Sequence, residues 1–456
     1  MKILVQKFGG TSVDRAEHRD LAVRKVIKAC EAGYSPVVVV SAIGRSGAPY
    51  ATDSLVKVLR DIDPQVSPSL REMDMMMSCG EIISTAVFAQ TLQTYGYKAI
   101  ALSGGQAGII TDAEHGNARI LQIRPQYIHL LLEQGWIPVV CGFQGITLPS
   151  NESEQGAMTT LGRGGSDTTA SALGAALGAV AVEIYTDVDG VKTADPDMVK
   201  AARTLDVCTY EEVAEIAHQG AKVVHPRAAE IAMDRNIPLW VKSTFSEHPG
   251  TRITSDAPPE VKQRLTGITH TGKIVYIRLE IENAEHKPIV EREVYRMMAR
   301  ASVNIFLVTF SPSALSFAVP RTLFPIARDL LDGMVVPVEH GEMDSSGKLA
   351  TYYIFKFSEG LDLAYSVQRP LLKAIEKRVA IVDVPASVTE NCTMVSVIAS
   401  DHLRVPGVAL RIFETLVKAG IAIHQTADSE MSVSCLVPES DADRAVLLLH
   451  SALFEN

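Results

Sequence analysis

The chain has 456 residues, 47% of them hydrophobic and 21% charged, a composition typical of folded globular proteins rather than of disordered ones. At about 150 residues per domain, this length predicts about three domains. The formal net charge of −10 excludes a general electrostatic attraction to nucleic acid or to anionic membranes.

Cysteine usage and the N-terminal segment indicate the compartment. The six cysteines form no C-x-x-C pair, which argues against a zinc knot or a disulfide framework and favours a reducing environment. The first residues are charged too early and apolar too briefly for a signal peptide, and no apolar run approaches the roughly 20 residues of a membrane helix. We therefore expect a cytoplasmic protein that binds neither membranes nor nucleic acid.

Strand-like and helix-like segments alternate through the first half of the chain. The patterns predict strands at residues 2–8, 36–40, 98–102, 137–140 and 181–185, and helices at residues 14–32, 81–95, 124–134 and 168–177. Such alternation is typical of βαβ crossovers. The sequence therefore predicts an α/β domain over residues 1–246, with a mostly parallel central sheet between helices.

The second half has a different rhythm. Residues 247–260 contain three prolines and little periodicity, so we predict a linker over residues 247–262. Strand, helix, strand, strand and helix then follow in residues 263–339 and again in residues 391–456, including strands at 393–399 and 421–425. Between these two α+β modules, residues 340–390 are predicted to form an inserted passage of strand (351–357), helix (361–377) and strand (379–384).

The first candidate site is the segment Lys7-Phe8-Gly9-Gly10-Thr11-Ser12, in which a predicted strand ends in a cation, two glycines and two hydroxyl residues. Glycines let backbone N–H groups approach an anion, a following helix adds partial positive charge, and Lys7 supplies a full charge for phosphate. The segment is not a Walker A sequence. An ordinary strand–turn–helix connection remains the alternative.

The second candidate site is Gly162-Arg163-Gly164-Gly165-Ser166-Asp167, just before an alanine-rich helix. An arginine can bind a carboxylate through two hydrogen bonds, and the glycines permit close backbone approach. The alternative is a flexible loop with a good helix cap. An arginine and an aspartate on either side of three small residues favour a binding function.

Three further segments are ambiguous on their own. Thr186-Asp187-Val188-Asp189-Gly190 follows a predicted strand, where ligands of open α/β sheets bind, although a plain turn is the stronger interpretation of this segment taken alone. Glu81 is predicted in the first turn of its helix, where carboxylates are favoured anyway. Lys222 is a phosphate contact or a surface lysine, and His225 has no partner at metal-ligand spacing.

Taken in order, these segments resemble the monofunctional aspartate kinases of the amino acid kinase family, nearest to the isozyme linked to diaminopimelate synthesis. The matching motifs are KFGGTSV (7–13), VVSAIG (39–44), YATDSL (50–55), SCGE (78–81), TTLGRGGSDTTA (159–170), TDVDGV (186–191) and GAKVVHPRA (220–228). The tail, with VPGV (405–408) and HQTADSEMSV (424–433), resembles the last ACT domain of these enzymes.

The resemblance implies transfer of the γ-phosphoryl group of MgATP to the side-chain carboxylate of L-aspartate, giving 4-phospho-L-aspartate for the lysine, threonine, methionine and diaminopimelate routes. It implies that Lys7 stabilises the transition state and that Asp167 orients Lys7. Arg163 matches a residue that binds a substrate carboxylate, and Glu81 matches one that orients the amino group. Magnesium is implied to be held mainly by the nucleotide and not by protein side chains.

The remaining site residues are also implied by the resemblance. The nucleotide site comprises Lys7, Phe8, Gly9, Gly10, Ser166, Thr186, Asp187, Lys192, Asp197, Lys222 and Val223. The aspartate site comprises Ser41, Thr52, Glu81, Arg163, Gly164, Gly165 and Ser166. An amino-acid effector (lysine, threonine or diaminopimelate) is expected at Val408, Ile423 and Gln425, and a homodimer through the ACT modules.

Two departures from the family pattern bear on these roles. Asp197 stands where the family has an arginine facing the nucleotide, and Lys192 stands where a tyrosine is common. Lys287-Pro288-Ile289 replaces the Pro-Gly turn of the first ACT module. Two alternative functions stay open: a kinase for another small acidic amino acid, and a non-catalytic regulatory homologue that binds an amino acid.

Overall fold

A computed structural model of the chain describes residues 1–149, 155–221, 223–255, 257–258, 265–311, 313–339, 350–357, 379–399 and 407–455. These residues form two compact units. The first unit takes the described parts of Met1–Thr269, Ile398–Pro406 and Glu430–Ser432, and the second takes those of His270–Val397, Gly407–Ser429 and Val433–Asn456.

The first unit is built from alternating strands and helices. In chain order they are β1 (Ile3–Phe8), α1 (Ala16–Glu31), β2 (Ser35–Val40), α2 (Thr52–Arg60), α3 (Leu70–Thr94), β3 (Ala99–Leu102), β4 (Ile109–Thr111), β5 (Ile120–Ile123), α4 (Gln126–Glu133), β6 (Ile137–Cys141), β7 (Gln144–Thr147), β8 (Met158–Thr160), α5 (Gly165–Leu177), β9 (Ala181–Thr186), β10 (Val207–Cys208), α6 (Tyr210–His218), α7 (Pro226–Asp234), β11 (Leu239–Ser243) and β12 (Thr251–Ile253).

A mostly parallel sheet lies at the centre of this unit, as the sequence predicts. Its strand order is β10-β12-β11-β9-β1-β2-β6-β3, and only β12 against β11 is antiparallel among the pairs recorded in it. In β2, Val37 to Val40 are all fully buried, as expected for a parallel strand that is covered on both faces. A second sheet of four strands, in the order β5-β4-β7-β8, belongs to the same unit.

Two expectations for the first unit are wrong. Helix α3 begins at Leu70 and not at residue 81, because Ser69 caps it by accepting the Glu72 N–H at 3.3 Å. Glu81 therefore lies in the middle of a helix and not in its first turn. The predicted linker also contains a strand, since Thr251–Ile253 pairs with β11 and β10, and the Thr251 hydroxyl donates to the Leu205 carbonyl at 2.6 Å.

The second unit contains the α+β part of the chain. Its elements are β13 (Leu265–Glu280, which begins in the first unit), α8 (Lys287–Arg300), β14 (Phe306–Ser311), β15 (Ala314–Pro320), α9 (Phe324–Leu331), β16 (Val335–Glu339), β17 (Ala350–Phe357), β18 (Val379–Ala399), α10 (Val408–Lys418), β19 (Gln425–Asp428), β20 (Ser432–Pro438) and α11 (Ala442–Phe454). The predicted order of strand, helix, strand, strand and helix is present in both modules.

Three predictions for this unit have different outcomes. The strands predicted at 379–384 and 393–399 are one strand, β18, which continues through the predicted break, where Asn391 adopts a left-handed conformation with φ 58°. The strand predicted at 421–425 is wrong, because the strand begins only at Gln425. The helix predicted at 361–377 lies outside the described residues.

The predicted turn difference at Lys287-Pro288 has a structural counterpart. These two residues open α8, where proline is tolerated because its missing N–H would have no partner in the first turn. Lys287 and Glu291 form a buried ion pair at 2.5 Å one turn apart.

Among the helices in the described part of the chain, none is both long and apolar enough to cross a bilayer.

Candidate active site

The candidate site lies where parallel strands of the central sheet end. In the register of the sheet, Phe8 is paired with Val40 on one side and with Tyr185 on the other, and Val40 is paired with Cys141. The segments that follow these strands therefore leave the sheet at one edge. This carboxyl edge is where open α/β sheets bind ligands.

Lys7 and Asp167 connect the two glycine-rich candidate segments, here called the first bend (Lys7–Ser12) and the second bend (Gly162–Asp167). Lys7 Nζ lies 2.7 Å from Asp167 Oδ1, and both side chains are largely buried, with exposed fractions of 11% and 13%. Lys7 comes from the end of β1 and Asp167 from the first turn of α5. The two bends therefore meet at this contact, as the implied role of Asp167 in orienting Lys7 requires.

Gly10 brings the first bend against the segment that follows β2. A Cβ atom on Gly10 would lie 2.5 Å from the Gly44 carbonyl oxygen and 2.8 Å from that of Ala42. The Gly44 N–H donates to the Gly10 carbonyl at 3.1 Å, which holds the two segments together. Only glycine permits this approach.

Two residues before Gly10, Phe8 and Gly9, were expected to contact the nucleotide, and the structure gives each of them another partner. The Gly9 N–H already donates to the Tyr185 carbonyl at 3.2 Å, so it is not a free donor for phosphate. The Phe8 side chain is fully buried and stacks on Phe88 and Tyr185, with ring centroids 5.4 and 4.8 Å away. Phe8 therefore packs in the core, and its side chain is not a nucleotide contact.

The second bend turns sharply into α5 at Gly164, which has φ 69°. A Cβ atom there would lie 2.1 Å from the His225 ring, so glycine is needed both for the backbone angle and for the space. Burial lowers the pKa of His225, an effect that the nearby Asp167 opposes. The His225 ring therefore packs directly against the backbone of the second bend at Gly164.

Gly165 and Ser166 are packed just as closely at the start of the helix. A Cβ atom on Gly165 would lie 2.8 Å from the Phe143 ring, and one on Gly142 would lie 2.6 Å from Ser166 Oγ. Ser166 is buried. Gly142 and Phe143, which follow β6, therefore pack against the second bend. Their contacts restrict the position of the Ser166 hydroxyl.

Glu81 is a buried carboxyl group at the middle of α3. It is 3% exposed, Oε1 accepts the Ala42 N–H at 3.0 Å, and Oε2 has no hydrogen-bond partner among the described residues. Burial raises its pKa to about 8, although the Ala42 hydrogen bond opposes the rise. A carboxyl group with one unsatisfied buried oxygen is suited to bind a cationic group.

Ser41 and Thr52 belong to segments that converge on this carboxyl group. Ser41 follows β2, and its N–H donates to the Phe8 carbonyl at 3.1 Å. Thr52 is the first residue of α2. A Cβ atom on Gly80, next to Glu81, would lie 2.8 Å from Ala42 Cβ and 2.9 Å from the Tyr50 carbonyl. The three segments are thus in close contact.

Arg163 lies at the top of the second bend, between Gly162 and Gly164. Its side chain is exposed, and it forms no ion pair with any residue that the structure describes. A guanidinium group held at its backbone and unpaired at its tip is available to bind an anion.

The last residue of β9, Thr186, and the residue that follows it, Asp187, lie at the same edge of the sheet. The Thr186 hydroxyl donates to Asp187 Oδ1 at 3.0 Å, and Arg45 Nη2 lies 2.6 Å from Asp187 Oδ2. Arg45 is largely exposed, so this ion pair contributes little to stability. It places a second guanidinium group, which the sequence reasoning missed, beside the predicted nucleotide segment.

The other predicted nucleotide residues are less clearly placed for binding. Lys192 Nζ donates to the Thr204 hydroxyl at 3.1 Å, and Asp197 is exposed, with its N–H donating to Asp195. Val223 is partly buried against the hydrophobic core of the unit. Lys222 lies outside the described residues.

The candidate effector residues belong to the second unit. Val408 is buried at the first position of α10, and Ile423 is half-buried. The Gln425 side chain accepts a hydrogen bond from the Tyr276 hydroxyl at 3.0 Å. Gln425 therefore already has a partner in β13.

The chain matches two family models, the amino acid kinase family over residues 2–243 and an ACT domain over residues 395–453. It is 38% identical over 455 residues to aspartokinase 1 of Bacillus subtilis, with 99% of this chain and 98% of the relative covered. It is 36% identical over 452 residues to an aspartokinase of Geobacillus stearothermophilus, with 99% and 97% covered.

Solved structures agree on the fold. The chain superposes on E. coli aspartokinase III, solved in complex with aspartate and ADP, with a TM-score of 0.71 at 24% identity, covering 99% of this chain and all of that one. The aspartate kinase of Clostridium acetobutylicum gives a TM-score of 0.65 at 20% identity, covering 99% and 100%.

The fold and the site therefore define a kinase. The chain belongs to the amino acid kinase family, and its full-length relatives place it among the aspartokinases with a C-terminal ACT domain. The ACT match covers the second predicted module; the first remains a prediction, supported by its β13-α8-β14-β15-α9-β16 order.

Proposed function

We propose that this chain transfers the γ-phosphoryl group of ATP to the side-chain carboxylate of L-aspartate, giving ADP and 4-phospho-L-aspartate. The observation that carries the proposal is the Lys7–Asp167 contact of 2.7 Å. It joins the first bend, whose glycines and lysine suit a phosphate, to the second bend, whose arginine suits a carboxylate. The aspartokinase relatives supply the identity of the acceptor.

The side chains match the needs of this reaction. The attacking group is a carboxylate, which is ionised at neutral pH, so no general base is required. An oxygen of that carboxylate forms a bond to the γ-phosphorus, while the bond between phosphorus and the bridging oxygen of ADP breaks. Two anions must meet, so catalysis depends on alignment and on cations such as Lys7 and Arg163.

Magnesium is expected to arrive with the nucleotide. The described residues contain no cluster of three or more histidine, cysteine, aspartate or glutamate side chains suited to a metal ion. We propose that Mg²⁺ is held mainly by phosphate oxygens of the nucleotide and by water, which are ligands that this ion prefers. When bound, the ion neutralises phosphate charge.

The direct test is a hydroxamate assay. The purified chain is incubated with MgATP, L-aspartate and hydroxylamine, which traps the acyl phosphate as a coloured hydroxamate. We expect formation of hydroxamate that depends on both substrates. Glutamate supporting the reaction in place of aspartate would identify a kinase for another acid, and no product with any acidic amino acid would indicate a non-catalytic homologue.

A pH dependence follows from the position of Glu81. If Glu81 binds the substrate ammonium group, it must be ionised, yet its pKa in the free site is about 8. Raising the pH from 6 to 8 is therefore expected to lower the KM for aspartate by about tenfold per pH unit, with a plateau above pH 8. Initial rates of ADP formation across this range measure the effect.

Glu81→Gln is the matched control for this prediction. The amide keeps the size of the side chain and cannot ionise, so the KM should be high and insensitive to pH. Because a raised carboxyl pKa lowers stability as pH rises through pH 4.5 to 8, Glu81→Gln should also have a higher Tm than the unsubstituted protein at pH 9 and not at pH 4. If the KM of Glu81→Gln for aspartate still fell with rising pH as in the unsubstituted protein, Glu81 would not be the group that binds the substrate ammonium.

We further propose that the protein is a homodimer through its second unit and that an amino acid regulates it. Leu410, Phe413 and Val417 support association, because they are exposed apolar residues spaced along one face of α10. Val408, Ile423 and Gln425 remain the candidate effector contacts. Lysine, threonine and diaminopimelate are the effectors to compare.

A further inference from the structure

We propose that Asp74 is a positioning residue for Arg163, which it holds in place through the turn at residues 115–117 and through Thr160. The inference rests on the proposed function, in which Arg163 binds a carboxylate of the substrate. No contact between Asp74 and the substrate is involved.

Asp74 shares one face of α3 with Glu81. The two residues are seven positions apart, with Ser78 between them, so a helix of 3.6 residues per turn places all three on the same side. All three are buried, and Asp74 has no exposed surface. One helix face thus carries both the carboxyl group of the proposed amino-group site and a second acid one turn below Ser78.

The Asp74 carboxylate gathers donors from two separate segments. His115 Nδ1 lies 2.6 Å from Oδ2, and the Gly116 N–H lies 3.0 Å from Oδ1 and 3.1 Å from Oδ2. The Thr160 hydroxyl donates to Oδ1 at 2.5 Å. Burying a carboxylate is costly unless it is fully hydrogen-bonded, and here the donors fix the turn and the strand β8 to the same group.

Both of these segments touch the bend that carries Arg163. Thr160 is the last residue of β8, three positions before Arg163. A Cβ atom on Gly162 would lie 2.9 Å from Asn117 Oδ1 and 3.3 Å from the Gly116 carbonyl, so the turn packs directly on the residue before Arg163. A shift of the turn would therefore move the backbone of Arg163.

The other flank of Arg163 is held independently. The His225 ring occupies the space beside Gly164, on the C-terminal side of Arg163. On the N-terminal side, Arg227 Nη1 also donates to the Leu161 carbonyl at 3.3 Å. Arg163 is thus held by its backbone on both flanks while its side chain stays exposed. Such support reduces the entropy lost when the guanidinium group orders around a ligand, and the benefit appears as affinity for the acid substrate.

The test compares Asp74→Asn with Arg163→Ala and with the double substitution. Arg163→Ala is expected to raise the KM for aspartate about 100-fold, since it removes hydrogen bonds between charged groups. Asp74→Asn is expected to raise it about tenfold, with kcat and the KM for MgATP changed less than about twofold. Because Asp74 acts through Arg163, the double variant should resemble Arg163→Ala alone.

Asp112→Asn is the matched control. Asp112 lies three residues before this turn and accepts the N–H groups of Glu114 and Arg119, but neither of these contacts reaches residues 161–164. Its substitution should leave the KM for aspartate unchanged. If Asp112→Asn raised this KM as much as Asp74→Asn, the effect would be a general loosening of the turn, and the proposal would be overturned.

The remaining outcomes separate this inference from the proposed function. An unchanged KM in Asp74→Asn, or full additivity with Arg163→Ala, overturns the role of Asp74 while leaving aspartate kinase activity in place. If the unsubstituted protein shows no aspartate-dependent ATP use, both the role of Asp74 and the proposed function are overturned. If Asp74→Asn does not fold, Thr160→Val removes one of the hydrogen bonds, and a KM that does not rise in that variant overturns the inference.

Discussion

Replacing Lys7 by alanine is expected to lower kcat by about 100-fold to 1,000-fold, because the charge that develops as the γ-phosphoryl group moves would lose its nearest cation. Lys7 is held by Asp167 at 2.7 Å in a largely buried setting, so its ammonium group needs little reorganisation during the reaction. The measurement is the rate of hydroxamate formation at saturating aspartate and MgATP.

The loss of Lys7 also leaves Asp167 as a buried charge without its partner, which by itself destabilises the fold. The double variant Lys7→Ala with Asp167→Asn separates the two effects. We expect its Tm to recover towards that of the unsubstituted protein while kcat stays low. Lys28→Ala, which removes an exposed lysine of α1, is the control for charge alone and should keep full activity. A Lys7→Ala enzyme with near-normal kcat would refute the assignment.

Gly10→Ala is expected to lower kcat/KM for ATP by about 100-fold, because displacements of about 1 Å at reacting groups have effects of that size. The added Cβ would lie 2.5 and 2.8 Å from two backbone carbonyl oxygens. Neither oxygen can move freely, since the Gly44 N–H is bonded to Gly10 and the Ala42 N–H to Glu81. The bend itself must shift, and with it the place of the phosphates.

Gly9→Ala is the neighbouring comparison for this prediction. A Cβ on Gly9 would lie 3.6 Å from Lys7 Nζ and 3.7 Å from the Tyr185 carbonyl, which are ordinary contact distances. Its loss of kcat/KM should therefore be at least about tenfold smaller than that of Gly10→Ala. Equal losses in both variants would show that the close approach at Gly10 is not the cause.

The sequence alone was sufficient for the parts of the site that depend on local pattern. The apolar runs predict the central strands, and the glycines beside Lys7 and Arg163 mark where backbone must approach closely. The contact between Lys7 and Asp167 was expected only from the resemblance to the aspartate kinases, and its length of 2.7 Å was not predictable from the sequence.

Other features depend on tertiary contacts that no local pattern reveals. Phe8 lies in a binding motif, yet its side chain packs in the core because Phe88 and Tyr185 surround it. The start of α3 was misplaced because the methionine-rich stretch before Glu81 has weak amphipathic contrast, and Ser69 is a modest signal on its own. Arg45, His225 and Asp74 matter only through partners that lie far away in sequence.

Residues from the far end of the chain belong to the first unit. Ile398 is fully buried in the same hydrophobic core as Ile216, and the Ser432 hydroxyl donates to Glu215 at 2.6 Å. A ribosome that has synthesised only the first 269 residues has not yet supplied these groups. Final maturation of the kinase unit must therefore await translation past residue 432, and shortened polypeptides that stop earlier would leave part of its interior uncovered.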